Sequence, residues 1–159
     1  MLLGFLLSIL TATYTLNSTT SVEQTGTAPT SSVAIYERTA TTGQKGQMTA
    51  GNSTRLELSG WDGCTIVGIE LQMRSNTSSG AGSLVVQIGK DTLWNVVNKG
   101  FNDDKWAGQF TTEWITIDNS FQATVGENEH IEIFISASEN SLYINRYTIH
   151  YEPALPQCY

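Results

Sequence analysis

The sequence predicts an all-β chain: a two-layer antiparallel β-sandwich with jelly-roll-like connections and about nine strands. Two observations carry this. In the run GCTIVGIELQMRSNTSSGAGSLVVQIG, residues 63–89, Val67, Ile69, Leu71 and Met73 share one parity while Glu70, Gln72 and Arg74 share the other, the period of a strand with one wet face. After a turn rich in Ser, Asn, Thr and Gly, the residues Leu84, Val86 and Ile88 repeat the pattern. The second observation is that no segment sustains helical periodicity, whereas turn signals recur at the short intervals a sandwich needs.

The 159 residues suffice for one domain. Residues 1–14, MLLGFLLSILTATY, carry an apolar run and then small residues, which reads as a secretory signal peptide cleaved near Ala12 or Thr13. The run is shorter than the roughly 20 apolar residues a membrane span requires. Residues 15–32 are Ser/Thr-rich with few large apolar groups, so a disordered leader is expected there. The sandwich then occupies 33–152, with strands expected at 33–37, 54–58, 65–73, 84–88, 92–97, 114–117, 121–125, 130–136 and 142–151. Turn signals such as Asp62-Gly63, Asn102-Asp103-Asp104, Asp118-Asn119-Ser120 and Gly126-Glu127-Asn128 separate them. In the last strand Leu142 and Ile144 fall on one phase and Tyr147, Ile149 and Tyr151 on the other, so a bulge is expected at Asn145-Arg146. Pro153 and Pro156 remove ladder donors and leave 153–159 as a tail. The expected core is Val67, Ile69, Leu71, Leu84, Val86, Ile88, Ile115, Ile117, Ile131, Ile133 and Ile135.

Eight basic against 15 acidic residues give a net charge of −7, which repels nucleic-acid phosphates and anionic membranes. The partners this leaves are a glycan or a cell-surface protein, with no nucleic acid and no membrane span in the mature chain. Cys64 and Cys158 are the two cysteines. In an exported chain they form a disulfide candidate, worth roughly 4–5 kcal/mol in the chain-entropy model, against the alternative of two free thiols.

No residue pattern marks catalysis. His130 and His150 sit in strands without the i, i+4 partner of a zinc protease, there is no Gly-x-Ser-x-Gly elbow, and no carboxylate pair is singled out for glycoside hydrolysis. No cofactor is expected beyond calcium, for which Asp103, Asp104, Asp118 and Glu127 supply candidate oxygens without an EF-hand spacing. The tryptophans offer more. Trp61 and Trp106 lie in polar turns, SGWDG and DDKWAG, whereas Trp94 and Trp114 belong to strands. A ring held at a loop can stack on the apolar face of a sugar while neighbouring carboxylates bond its hydroxyls. Trp61, Trp106, Asp62 and Asp104 are therefore the candidate ligand contacts, against the alternative that such rings cap the ends of the core.

The run at residues 63–89, together with WAGQFTTEWITI and NSLYINRYTIHYE, resembles an uncharacterised β-sandwich accessory module of secreted and surface proteins of Bacteroidetes. The resemblance implies a jelly-roll-like module with an exported life and brings no catalytic residues. The functional expectation is an exported, non-catalytic, carbohydrate-binding accessory module that is secreted or held at the cell surface. A structural or adhesive subunit making protein contacts is the alternative, and a small hydrolase ranks third.

Overall fold

The computed structural model describes residues 8–40, 42–76, 80–98 and 112–155. Among them are eleven strands: β1 (Leu10–Leu16), β2 (Val22–Gly26), β3 (Val33–Arg38), β4 (Gln47–Met48), β5 (Ser53–Ser59), β6 (Thr65–Ser75), β7 (Ala81–Ile88), β8 (Asp91–Asn98), β9 (Ile115–Thr124), β10 (Ile131–Glu139) and β11 (Leu142–Glu152). They form two sheets in which the described pairings are antiparallel. The first runs β2-β1-β11-β6-β9 with β4 also pairing β11, and the second runs β3-β5-β10-β7-β8. From β5 onward the chain crosses repeatedly between the two sheets, the jelly-roll-like connection that the alternation predicts.

The inward phase of the strands in both sheets fills the space between the layers with large apolar residues. The second sheet contributes Leu56, Leu58, Leu84, Val86, Ile131, Ile133 and Ile135; the first contributes Ile66, Ile69, Leu71, Met73, Tyr147 and Ile149, all buried. The bulge in β11 lies where the phase change required it, with the register shifting between Ile144 and Arg146. Leu142 and Ile144 on one side of it and Tyr147, Ile149 and Tyr151 on the other are all buried.

Three expectations need correction. The segments read as a cleaved signal and a disordered leader contain ordered sheet: β1 lies between β2 and β11, and its Ala12, Tyr14 and Leu16 are core. The expected cleavage positions Ala12 and Thr13 fall inside that strand. The reason is visible in TATYTL, where Thr alternates with Ala, Tyr and Leu. Second, the turn expected at Asp118-Asn119-Ser120 is absent, because β6 offers a long edge along which β9 continues, Asn119 opposite Ile69 and Ser120 opposite Gly68. Third, Val67 is not core. Both neighbours of β6 shift register around it: Val67 is an extra residue against β11, β9 carries the extra residue on the other side, and Ile66 takes the buried phase.

The core holds several tyrosines whose environment has a measurable consequence. Tyr14, Tyr36 and Tyr147 are buried, their hydroxyls included. Burial pushes Tyr14 and Tyr36 up to about 12 from 10.0, and it pushes Tyr147 up as well. Because the folded state holds these protons more tightly than the unfolded chain, their stabilisation is complete below pH 10 and is lost as pH rises through about 12. The urea midpoint should therefore fall steeply across that window while phenolate absorbance lags behind that of free tyrosine. Half-ionisation of all tyrosines at pH 10, as for free tyrosine, with a urea midpoint unchanged up to pH 12 would contradict their burial.

Candidate functional site

The outer face of the first sheet collects polar and aromatic side chains in a row. On β6, with Ile69, Leu71 and Met73 turned inward, Glu70, Gln72 and Arg74 face out. The bulge in β11 sets Tyr143 opposite Arg74 and Arg146 opposite Gln72, and beyond them Thr148 stands opposite Glu70. Trp114 enters just before β9 on the phase of Thr116 and Asp118, opposite to the inward Ile117. From Gly68 to Arg74 the row is about 20 Å long.

At one end the Arg74 guanidinium carbon lies 4.1 Å from the centroid of the Tyr143 ring and 5.3 Å from that of Trp114. These are cation–π distances, and they hold the Trp114 ring in place although 45% of the residue is exposed. Next along the row the Asn145 amide donates to Gln72 Oε1 at 2.6 Å. Beyond it His150 Nε2 lies 2.7 Å from Glu70 Oε2, and His150 Nδ1 lies 3.0 Å from Thr11 Oγ1. Gly68 then leaves the sheet without a side chain, and a shallow groove of about 290 Å³ opens there between Ile9, Val67, Glu70, Asn119 and His150.

If His150 Nε2–H donates to Glu70, Nδ1 accepts from the Thr11 hydroxyl, and the relay runs in the direction a hydrolytic triad would need. Yet Thr11 sits inside a strand. Its carbonyl accepts from Thr27 N and its register partner is His150, so the local backbone is committed to neighbouring strands rather than aimed as N–H pairs at a reacting carbonyl. The relay fixes the shape of the face. His130 is likewise tied to a carboxylate, its Nδ1 2.7 Å from Glu57 Oε1 on the opposite sheet.

The residues singled out from sequence do not gather here. Trp61 is fully buried and packs edge-on against Tyr151, ring centroids 4.7 Å apart and planes at 69°. It cannot present a ring to a ligand. Its polar turn misleads because Gly60 and Gly63, both at positive φ, fold the chain back so that the indole caps the core end. Asp62 accepts from Asn128 N at 3.0 Å and pins the loop between β9 and β10, beside a separate hollow of about 610 Å³ lined by Gly63, Val125, Glu127 and Leu155. Cys64 is buried, its thiol pushed up chiefly by desolvation, with the Ala154 backbone against it. Asp118 and Glu127 are separated by the rest of β9, about 20 Å of extended strand. Among the described residues no group of three or more His, Cys, Asp or Glu side chains is placed to hold a metal. Trp106, Asp103, Asp104 and Cys158 lie outside the described residues.

Sequence reasoning passed over Trp114, Arg74 and Tyr143 as site residues. A signal for the first was present: Trp114, Thr116 and Asp118 share the phase opposite to Ile115 and Ile117, so a ring there must face out.

No protein-family model and no curated protein matches the chain. Among solved structures, it is similar to the CBM36-1 domain of a multidomain xylanase from the hindgut metagenome of Trinervitermes trinervoides (14% identity, 87% of this chain and 95% of that one, TM-score 0.49). It is also similar to the C-terminal CBM6 of the marine laminarinase LamC from Zobellia galactanivorans (12% identity, 74% and 98%, TM-score 0.42). A third is the carbohydrate-binding module CBM6cm-2 from Cellvibrio mixtus lichenase 5A, in complex with cellotriose (16% identity, 91% and 98%, TM-score 0.39). These are likenesses of sandwich architecture.

Two substitutions separate core from face. Trp61→Ala should cost about 3–5 kcal/mol of stability, as for a buried ring, whereas Trp114→Ala should cost about 1 kcal/mol or less. Urea denaturation of both variants reads this directly, and equal losses would refute the assignment. At Gly68 an added Cβ would meet Asn119 O at 3.5 Å and His150 Cδ2 at 3.6 Å, ordinary contact distances. Gly68→Ala should therefore fold with a stability within about 1 kcal/mol of the parent while narrowing the groove. A larger loss would show that the groove is closed.

Proposed function

We propose that the protein is a non-catalytic carbohydrate-binding module that lays a glycan along the outer face of its first sheet. The observation that carries this reading is an exposed Trp114 ring, steadied by Arg74, at the head of a row of oriented polar groups about 20 Å long. A pyranose has an apolar face that stacks on an indole and an equatorial rim of hydroxyls that needs fixed donors and acceptors. Gln72, Asn145, Glu70 and His150 are already held by one another, so little side-chain entropy remains to be lost on binding. Trp106 and Asp104, in the stretch that precedes Trp114, are proposed on sequence grounds as further contacts. A secreted or surface-held life as an accessory module follows from the same reading.

The test is affinity electrophoresis and calorimetry of the whole chain against a panel of soluble polysaccharides. At least one should bind, and Trp114→Ala should weaken it about tenfold or more, equivalent to about 1–2 kcal/mol, with its urea midpoint nearly unchanged. Binding by no glycan would sink the proposal.

A second reading has its own observation. The outer face of the second sheet exposes Val33, Ile35, Val97 and Phe134, which favours a protein contact in a structural or adhesive subunit. Sedimentation showing tight self-association, lost on Phe134→Ser, together with a negative glycan panel, would put that reading first.

A further inference from the structure

The chain has four arginines. Arg38 is engaged by the carbonyls of Thr42, Gln44 and Gln47, and Arg55 on the second sheet is enclosed by Glu37, Glu57 and Glu132. The other two, Arg74 and Arg146, make no salt bridge among the described residues. Both face out from the first sheet. Arg146 stands opposite Gln72 on β11, and Arg74 lies two residues further along β6, so their Cα atoms are roughly 8 Å apart by strand geometry.

Among the described residues neither arginine is neutralised by an acid. Arg74 has one long contact to the protein, Nη1 to its neighbour's Ser75 O at 3.4 Å, and rests its flat side on Tyr143. That stacking leaves the guanidinium edge, where the N–H donors lie, free for an in-plane anion. Carboxylates do occur on this face: Glu70 is turned to His150, Asp118 stands opposite Glu70, and Glu23 lies one strand beyond Arg146, across Thr15. In a chain of net charge −7, two guanidinia with no ion pair among the described residues stand beside one exposed tryptophan.

We infer that the glycan bound on this face is anionic: a polysaccharide bearing carboxylates or sulfate esters, one sugar stacked on Trp114 and the acidic groups held by Arg74 and Arg146. This rests on the carbohydrate-binding reading and specifies its substrate class. Two oxygens of a carboxylate or of a sulfate ester match the guanidinium fork, whereas a hydroxyl uses only part of it.

The experiment is calorimetry of the full chain with polygalacturonate, with its carboxyl-reduced counterpart, with a sulfated galactan, with its desulfated counterpart, and with neutral xylan and β-glucan. An acidic polymer should bind, and its neutralised counterpart should bind at least about tenfold more weakly. Affinity should fall as NaCl is raised. Arg74→Gln combined with Arg146→Gln should abolish the preference for the acidic form, and Arg74→Lys, which keeps the charge and loses the fork, should restore it only in part. Urea midpoints near the parent's show that these variants fold. Binding of the carboxylated polymer alone, or of the sulfated one alone, supports the inference and names the acidic group. Neutral polymers bound as tightly as acidic ones, with no salt dependence, overturn it while the carbohydrate reading stands. Binding of none overturns both.

Discussion

Strand β11 must satisfy its backbone on both sides, and the two faces of the first sheet depend on how it does so. Hydrogen bonding to β1 and β4 on one flank and to β6 on the other leaves little freedom in its register. Its apolar residues nonetheless occupy both phases, so a straight strand would bury one half and expose the other. The extra residue at Asn145 resolves the conflict. Inward, five large side chains reach the core. Outward, the same residue count puts Tyr143 against Arg74 and Arg146 against Gln72, and it frees Asn145 itself to bond Gln72 across the ladder. Core and surface pattern are two results of one inserted residue.

The sandwich was legible because period-2 alternation is a direct imprint of one wet and one dry face, and Ile69, Leu84, Ile131 and Ile133 obey it without exception. Legibility failed where another pattern overlaid that signal. An apolar N-terminal run resembles an export leader closely enough to hide the alternation of TATYTL, although Tyr14 and Leu16 could not be buried without a strand. At Val67 the parity was read straight through a glycine whose neighbour is bulged, and the inward position passed to Ile66. The site was less legible than the fold. Placing Trp61 in a polar turn says where the backbone is wet but nothing of which way the indole points, and the positive-φ glycines around it decide that. Trp114 could have been found by phase alone. Its partnership with Arg74 and Tyr143 joins three strands and is not written in any local stretch.

Net charge also proves a coarse guide. The excess of acids is a sum over the whole chain, whereas a bound polymer responds to the charges within about one Debye length of it. Three of the acids crowd around Arg55 on the second sheet, where they neutralise the one arginine that face carries. On the first sheet Arg74 and Arg146 make no ion pair among the described residues, although Glu23, Glu70 and Asp118 share their face. A whole-molecule average conceals this division because the two faces are separated by the full thickness of the core.

The register of β1 against β11 has a mechanical side. Leu10 pairs with Tyr151 and Thr15 with Arg146, so the first residue of one strand and the last turn-free residues of the other lie at the same end of the ladder. Tension applied through residues 10 and 152 would meet these hydrogen bonds one rung at a time, as a zipper, and not all together in shear. A tether pulling on both ends of this sandwich would open it by peeling β1 away first, starting beside His150 and working toward the arginines.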